Sequence, residues 1–125
     1  GAPALVQQAR QHFSWAEATN IQQVEGKFID TLPQVLAATS PFDFVLLDGH
    51  HTAEATLTYF EHILSHCNTN AVLWIDDINW SKGMKQAWQH ICQNPRVPIS
   101  VDLFDFGLLF LRPGKAKEHF VIRPV

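Results

Sequence analysis

Two short strings concentrate the side chains able to do acid–base or ligand chemistry: Asp48-Gly49-His50-His51 and Asp76-Asp77. Each closes a near-continuous apolar run, Phe42 to Leu47 before the first and Ala71 to Ile75 before the second. A carboxylate at the end of a buried strand is costly unless a partner, a metal or a ligand satisfies it. Gly49 lets the backbone turn sharply or approach a ligand closely. His51, three positions after Asp48, has the side chain that gives or takes a proton near neutral pH. With Asp48, the Asp76-Asp77 pair would form an oxygen-rich nest suited to a hard divalent cation such as Mg²⁺ or Ca²⁺. The same residues also admit structural roles. Asp48 could cap a helix starting near Thr52, Asp77 could cap a turn, and Asp76 could pair with Lys82.

Other chemically capable residues carry less. His62 and His66 have zinc-ligand spacing beside Cys67, but no Glu follows the first His, and a second ligand pair is absent. They read as solvated histidines on a helix face. Trp80, in the loop Ile78-Asn79-Trp80, is placed either to wall a substrate or adenine pocket or to pack. Trp74 and Trp88 fall within apolar patterns and read as core. No serine has the context of a nucleophile elbow.

The elements that must position these groups are set by periodicity. Ala4 to Trp15 and Thr31 to Ala38 read as helices, the second with Pro33 tolerated in its first turn. Asn20 to Val24 reads as a short strand. Phe42 to Asp48 and Ala71 to Ile75 are the runs expected of strands covered on both faces. Between and after them, Ala53 to Cys67 and Lys82 to Gln93 keep a helical stripe, the latter stopped by Asn94-Pro95. Ile99 to Phe104 and Gly107 to Arg112 are close enough to form an antiparallel hairpin, and His119 to Ile122 adds a last extended piece. Strand, helix, strand, helix and hairpin make an α/β layered sheet. Ligands of such sheets bind at the carboxyl ends of the strands, where Asp48, Asp76 and Asp77 fall.

Composition narrows the function classes. The chain has 125 residues, 46% hydrophobic and 17% charged, with a formal charge of −3. It is expected to form a single domain over 1–125. No run of Lys or Arg forms a stripe, which argues against a dedicated nucleic-acid binder. No apolar stretch approaches the ~20 residues that span a bilayer, so no membrane partner is expected. Cys67 and Cys92 do not make a disulfide framework, and a reducing, cytoplasmic setting is the default.

The string PFDFVLLDGHHTAEATLTYF, followed by NAVLWIDDINWSKGMKQAW, resembles the fourth and fifth strands of class I S-adenosylmethionine-dependent methyltransferases. It is closest to a small O-methyltransferase-like branch with an Asp-Gly-x-His signature after the fourth strand. Upstream, NIQQVEGKFIDTLPQVL is similar to that family's third strand, its Gly-containing turn and the following helix. Downstream, ISVDLFDFGLLFLRP is similar to its terminal hairpin. The resemblance implies a Rossmann-like three-layer sandwich, its mostly parallel sheet ending in an antiparallel hairpin. It implies methyl transfer from S-adenosylmethionine to a small-molecule acceptor.

Site roles come residue by residue from that resemblance. In catechol O-methyltransferase-like enzymes, an acid ending strand four and an acid–amide pair ending strand five hold a divalent metal. Those positions match Asp48, Asp76 and Asp77, with Asp77 standing where that branch has Asn. The metal there orients acceptor hydroxyls and lowers their pKa. The branch's catalytic lysine falls on His51, making it the candidate base beside Asp48. Gly26, Lys27 and Phe28 match the segment flanking the adenine, with Lys27 where an acid commonly stands. Asp48 and Gly49 also border the cofactor in this reading, and His50 and Trp80 border the substrate.

The family's first two strands and Gly-rich loop have no counterpart, and no GxGxG-like string exists in the sequence. The fold is therefore expected to be incomplete on its amino-terminal side, and this piece alone inactive. An exposed sheet edge would then invite a second copy to pair, giving a homodimer. The alternative from another class is a non-catalytic α/β interaction module derived from a methyltransferase. A metal-dependent hydrolase or phosphoryl-transfer domain built on the same acids is disfavoured by the missing phosphate loop.

Overall fold

The structure, a computed structural model, describes residues 3–123. The chain divides into two compact units, Gly1–Ala38 and Thr39–Val125. The first holds α1 (Pro3–Trp15) and nearly all of α2 (Phe28–Thr39). The chain leaves α1 through Glu17, in the left-handed region at φ 51, while Ala16 and Ala18 donate back to the carbonyls of His12 and Phe13. The segment beyond is tied to α1 by the Gln23 amide, which donates to the Val6 carbonyl at 3.1 Å. Arg10 lies 3.8 Å from Glu25.

Two local expectations change here. Asn20 to Val24 is not a strand. Ile21 and Val24 are each 46% exposed, and no strand pairs with this run. Helix α2 starts three residues earlier than its apolar pattern suggests. The Lys27 carbonyl accepts from the N–H groups of Asp30 and Thr31 and from the Thr31 hydroxyl, each at 3.0 Å. That supplies a first turn whose apolar residues, Phe28 and Ile29, stay about half exposed, off the buried side of the helix.

The second unit is an α/β sheet: β1 (Phe42–Leu47), α3 (Ala53–Leu64), β2 (Cys67–Asp76), α4 (Lys82–Gln93), β3 (Ile99–Asp102), β4 (Phe106–Phe110) and β5 (Glu118–Val121). The strand order is β1-β2-β4-β3-β5. β1 and β2 pair in parallel, β4 runs antiparallel to both β2 and β3, and β5 is parallel to β3. Four strands therefore point one way and β4 alone is reversed, the mostly parallel sheet with a hairpin that the sequence leads one to expect. β2 begins at Cys67, earlier than Ala71, because Asn68-Thr69-Asn70 is extended rather than a break. A register shift between Phe42 and Phe44 of β1 accommodates the extra residues.

Both helices of this unit cover one face of the sheet. Thr52 caps α3, its side chain accepting from the Ala55 N–H, and Ser81 caps α4 by accepting from Met84 N–H at 3.1 Å. Phe60, Ile63 and Leu64 of α3 and Met84, Ala87, Trp88 and Ile91 of α4 are buried. Beneath them lie Leu47, Ala71, Leu73, Ile75 and Leu109, alternate residues on one side of three strands. At Gly107 the indole of Trp88 approaches so closely that a Cβ would sit 2.3 Å from its Cη2. Glycine is the residue that fits. Among the described residues, no helix is long and apolar enough to cross a membrane. Cys67 and Cys92 are free, and burial pushes both thiols up from their ordinary value.

Candidate functional site at the carboxyl rim

β1 and β2 stay in register to Leu47 and Ile75, so Asp48, just past β1, and Asp76, the last residue of β2, come at neighbouring places on the carboxyl end of the sheet. Asp76 stays in the ladder, opposite Phe106 of β4, while Asp48 and Asp77 lie in the loops. Thr52, not Asp48, caps α3, which leaves the Asp48 carboxylate, 55% exposed, at the rim. His50 takes a left-handed conformation at φ 66, and the chain turns there before His51. After β2, Asp77 is left-handed at φ 54, again at a non-glycine residue. These two turns bring one cluster together. His51 Nδ1 lies 3.1 Å from Asp77 Oδ2, and His51 Nε2 lies 3.5 Å from Asp48 Oδ1. The imidazole sits between two carboxylates and remains one-third exposed.

Asp76 is not part of this cluster. Its carboxylate accepts from the Trp74 indole N–H at 3.2 Å, two residues back on the same side of β2. The Trp74 ring in turn stacks on Phe106, with centroids 3.8 Å apart. Asp76 does not pair with Lys82. A metal held by Asp48, Asp76 and Asp77 therefore does not fit this arrangement. One carboxylate is turned to an indole, and an imidazole stands between the other two. Among the described residues no group of three His, Cys, Asp or Glu side chains is arranged to hold a metal ion.

Asp48 and Asp77 present two carboxylates at this rim, both in contact with His51. Gly49 lies within this rim, and Trp80, 74% exposed, stands three residues beyond Asp77 instead of packing into the core. Gly26, Lys27 and Phe28 belong to the first unit. There Gly26, at φ 146, leaves room for Thr31, whose Cγ2 would lie 2.5 Å from a Cβ. Lys27 opens α2 through its carbonyl.

Sequence reasoning missed the residues that brace the Asp77 loop. The Asn79 amide donates to the Phe104 carbonyl at 2.6 Å, and Ile78 N–H donates to the Asp105 carbonyl at 3.2 Å. Both acceptors lie at the tip between β3 and β4, where Phe104 is left-handed at φ 75. The Arg123 guanidinium stands 5.5 Å from the Phe104 ring centroid and bonds Asp102 at 2.8 Å. The amide of Asn79, directly after an acid pair and an isoleucine, was the available signal.

Comparison with known proteins places this arrangement in context. No curated protein sequence matches the chain. Among solved structures, the O-methyltransferase from Bacillus cereus in complex with SAH matches with a TM-score of 0.73 at 21% sequence identity. The match covers 90% of this chain and 60% of that one, so the chain spans about three-fifths of that structure's length. At this identity the match establishes the shared fold, which is Rossmann-like. A family model described as a methyltransferase domain matches residues 3–78, running across both compact units. With more than half its length matched, the chain belongs to this methyltransferase-domain family.

Proposed function

We propose that the chain contributes the acceptor side of an S-adenosylmethionine-dependent methyltransferase that acts on a hydroxyl of a small molecule in the cytoplasm. The observation that carries this reading is His51, held between Asp77 at 3.1 Å and Asp48 at 3.5 Å at the carboxyl rim of a parallel strand pair. Family membership supports the reaction class. The SAH bound to the structurally similar O-methyltransferase supports the cofactor.

Bound S-adenosylmethionine supplies a methyl group on a cationic sulfur, open to in-line attack. The chain's own residues prepare the attacking group. Asp77 holds the Nδ1 side of the ring and fixes its orientation, as the carboxylate does in other histidine bases. An acceptor hydroxyl approaches from solvent beside the Nε2–Asp48 pair, giving its proton to Nε2 with Asp48 beside it. Such general-base help is worth about 10²- to 10⁴-fold in rate. Holding acceptor and donor in line supplies much of the remainder. Asp48 and Asp77 also place negative charge where a cationic cofactor is bound, and Gly49 leaves room for its approach. Trp80 offers an apolar wall to the acceptor, and His50 borders it.

The test is calorimetric titration with S-adenosylhomocysteine of the protein as it stands and of a version extended at its amino end by the two strands and Gly-rich loop of the family fold. Binding by the extended form, with His51→Ala cutting methyl transfer by about 10²-fold or more at unchanged cofactor affinity, is the expected outcome. Absence of binding by both forms would sink the enzyme reading and leave the non-catalytic α/β module.

A further inference from the structure

At the opposite end of β2 the charge is reversed. A groove of about 270 Å³ opens where β2 begins, β4 ends and the loop from α4 reaches β3. Arg96, Arg112 and Lys115 line it, with Asn68 and Thr69 beside them, and no acid is among its lining residues. Among the described residues no carboxylate is in ion-pair contact with any of the three cations. Asp43 accepts from the Asn68 side-chain amide and is not among the lining residues. In a chain of formal charge −3, three uncompensated cations around one small groove repel one another. An anion bound among them removes that repulsion.

The groove is also stiff. Pro95, Pro98 and Pro113 form part of its wall, each fixing φ. Pro113-Gly114 makes the turn that sets Arg112 and Lys115 on either side, with Gly114 in the left-handed region at φ 75 that a proline–glycine turn uses. Arg96 is pinned from behind: one guanidinium nitrogen donates to the Leu64 carbonyl at 2.8 Å. Its other N–H donors are left for a ligand in the groove. A fixed guanidinium, a second arginine and an ammonium around a concave site suit a planar or tetrahedral oxyanion. Three cations in so small a volume do not make the track that a polynucleotide backbone needs.

We propose that this groove binds a phosphate group, either free phosphate or the phosphate of a small monoester, through Arg96, Arg112 and Lys115. It stands apart from the carboxyl rim. From Asn68 to Asp76 the strand runs about 25 Å, so a ligand filling the groove does not reach His51. The inference does not depend on methyl transfer.

Calorimetry at low ionic strength, with inorganic phosphate in one arm and glycerol 3-phosphate in the other, tests it on the full chain. The expected result is saturable binding in at least one arm, with the tighter arm identifying the source. The double substitution Arg112→Ala/Lys115→Ala, at two exposed positions, should weaken binding about tenfold or more. Lys85→Ala, at a cation outside the groove, should leave it unchanged. Thermal melting confirms that both variants stay folded. No saturable binding in either arm overturns the proposal. So does equal binding by the double variant, or an equal loss with Lys85→Ala.

Discussion

The two faces of the second unit's sheet are built from equally apolar strands and end in different states. On the face under α3 and α4, Ala71, Leu73, Ile75 and Leu109 are no more than 1% exposed. On the other, Val72, Trp74, Leu108 and Phe110 are only half-buried, and Phe44 and Leu46 are more than half exposed. Side chains alternate along each strand, so every strand feeds both faces. The difference shows where stability is concentrated: a methylene beneath the helices has protein on all sides, while one on the second face keeps contact with water. It also explains why the strand runs read as buried on both sides, since both faces are apolar whatever covers them.

A matched pair of leucines measures that difference. Leu73→Ala, at 1% exposure beneath the helices, is expected to cost about 3 kcal/mol, from lost transfer energy and a cavity that the surrounding helices cannot close. Urea denaturation of wild type and variant gives the value. A loss under about 1 kcal/mol would mean that the helices repack over the gap and that the sealed face is softer than its burial indicates. Against a total stability of roughly 5–15 kcal/mol, the expected loss is a large share.

The same alternation sets what is legible in the sequence. The helix Lys82 to Gln93 is readable with the bounds it has, because its apolar stripe is bracketed by Ser81 and by Asn94-Pro95. The hairpin and the two parallel strands are legible as elements but not in their bounds, since β2 begins at Cys67, before the apolar run that opens at Ala71. Asn20 to Val24 has the composition of a strand, but a strand exists only with a partner, and none pairs with it. At the site, the nearness of Asp48 to His51 and Asp77 is implied by strand ends and the family resemblance. The turn of Asp76 toward Trp74 is not, because two adjacent acids diverge and sequence does not say which goes where. The left-handed conformations of His50 and Asp77 are also hidden, as neither is the glycine or asparagine that announces them.

Asp102 closes the sealed face at the end of β3, and it sharpens the comparison through pH. Partial burial pushes its carboxyl up. The hydrogen bonds from Arg123 and the Phe104 N–H, with the charges of Arg123 and His119, outweigh that and hold it below the usual carboxylate range. A carboxylate depressed in the folded state binds protons less readily than in the unfolded chain. Its contribution is therefore present above the ordinary value of about 4 and is lost as pH falls through the folded value. Asp102→Asn should cost about 1 kcal/mol at neutral pH, the figure being modest because Arg123 is 43% exposed. The gap from wild type should shrink below about pH 4. A gap that stays constant from pH 7 to pH 3 would show that the ion pair is not what stabilises this corner.

The smallest effect is expected on the second face, where it is also the most informative. Leu46 is 53% exposed on β1, one of the two edge strands, so Leu46→Ala removes little area from contact with protein. The loss in unfolding free energy should stay below about 1 kcal/mol, several-fold under Leu73→Ala on the same sheet. We further propose that a second copy pairs along β1, whose outer edge leaves backbone groups unmatched in this sheet. The two ideas predict different readouts for one substitution. If β1 pairs with another copy, light scattering at high concentration shows a dimer in wild type, and Leu46→Ala shifts it toward monomer while leaving monomer stability nearly unchanged. A monomer at every concentration removes the pairing idea. A stability loss as large as that of Leu73→Ala would instead show that this face is sealed in solution, and the contrast between the two faces would fall.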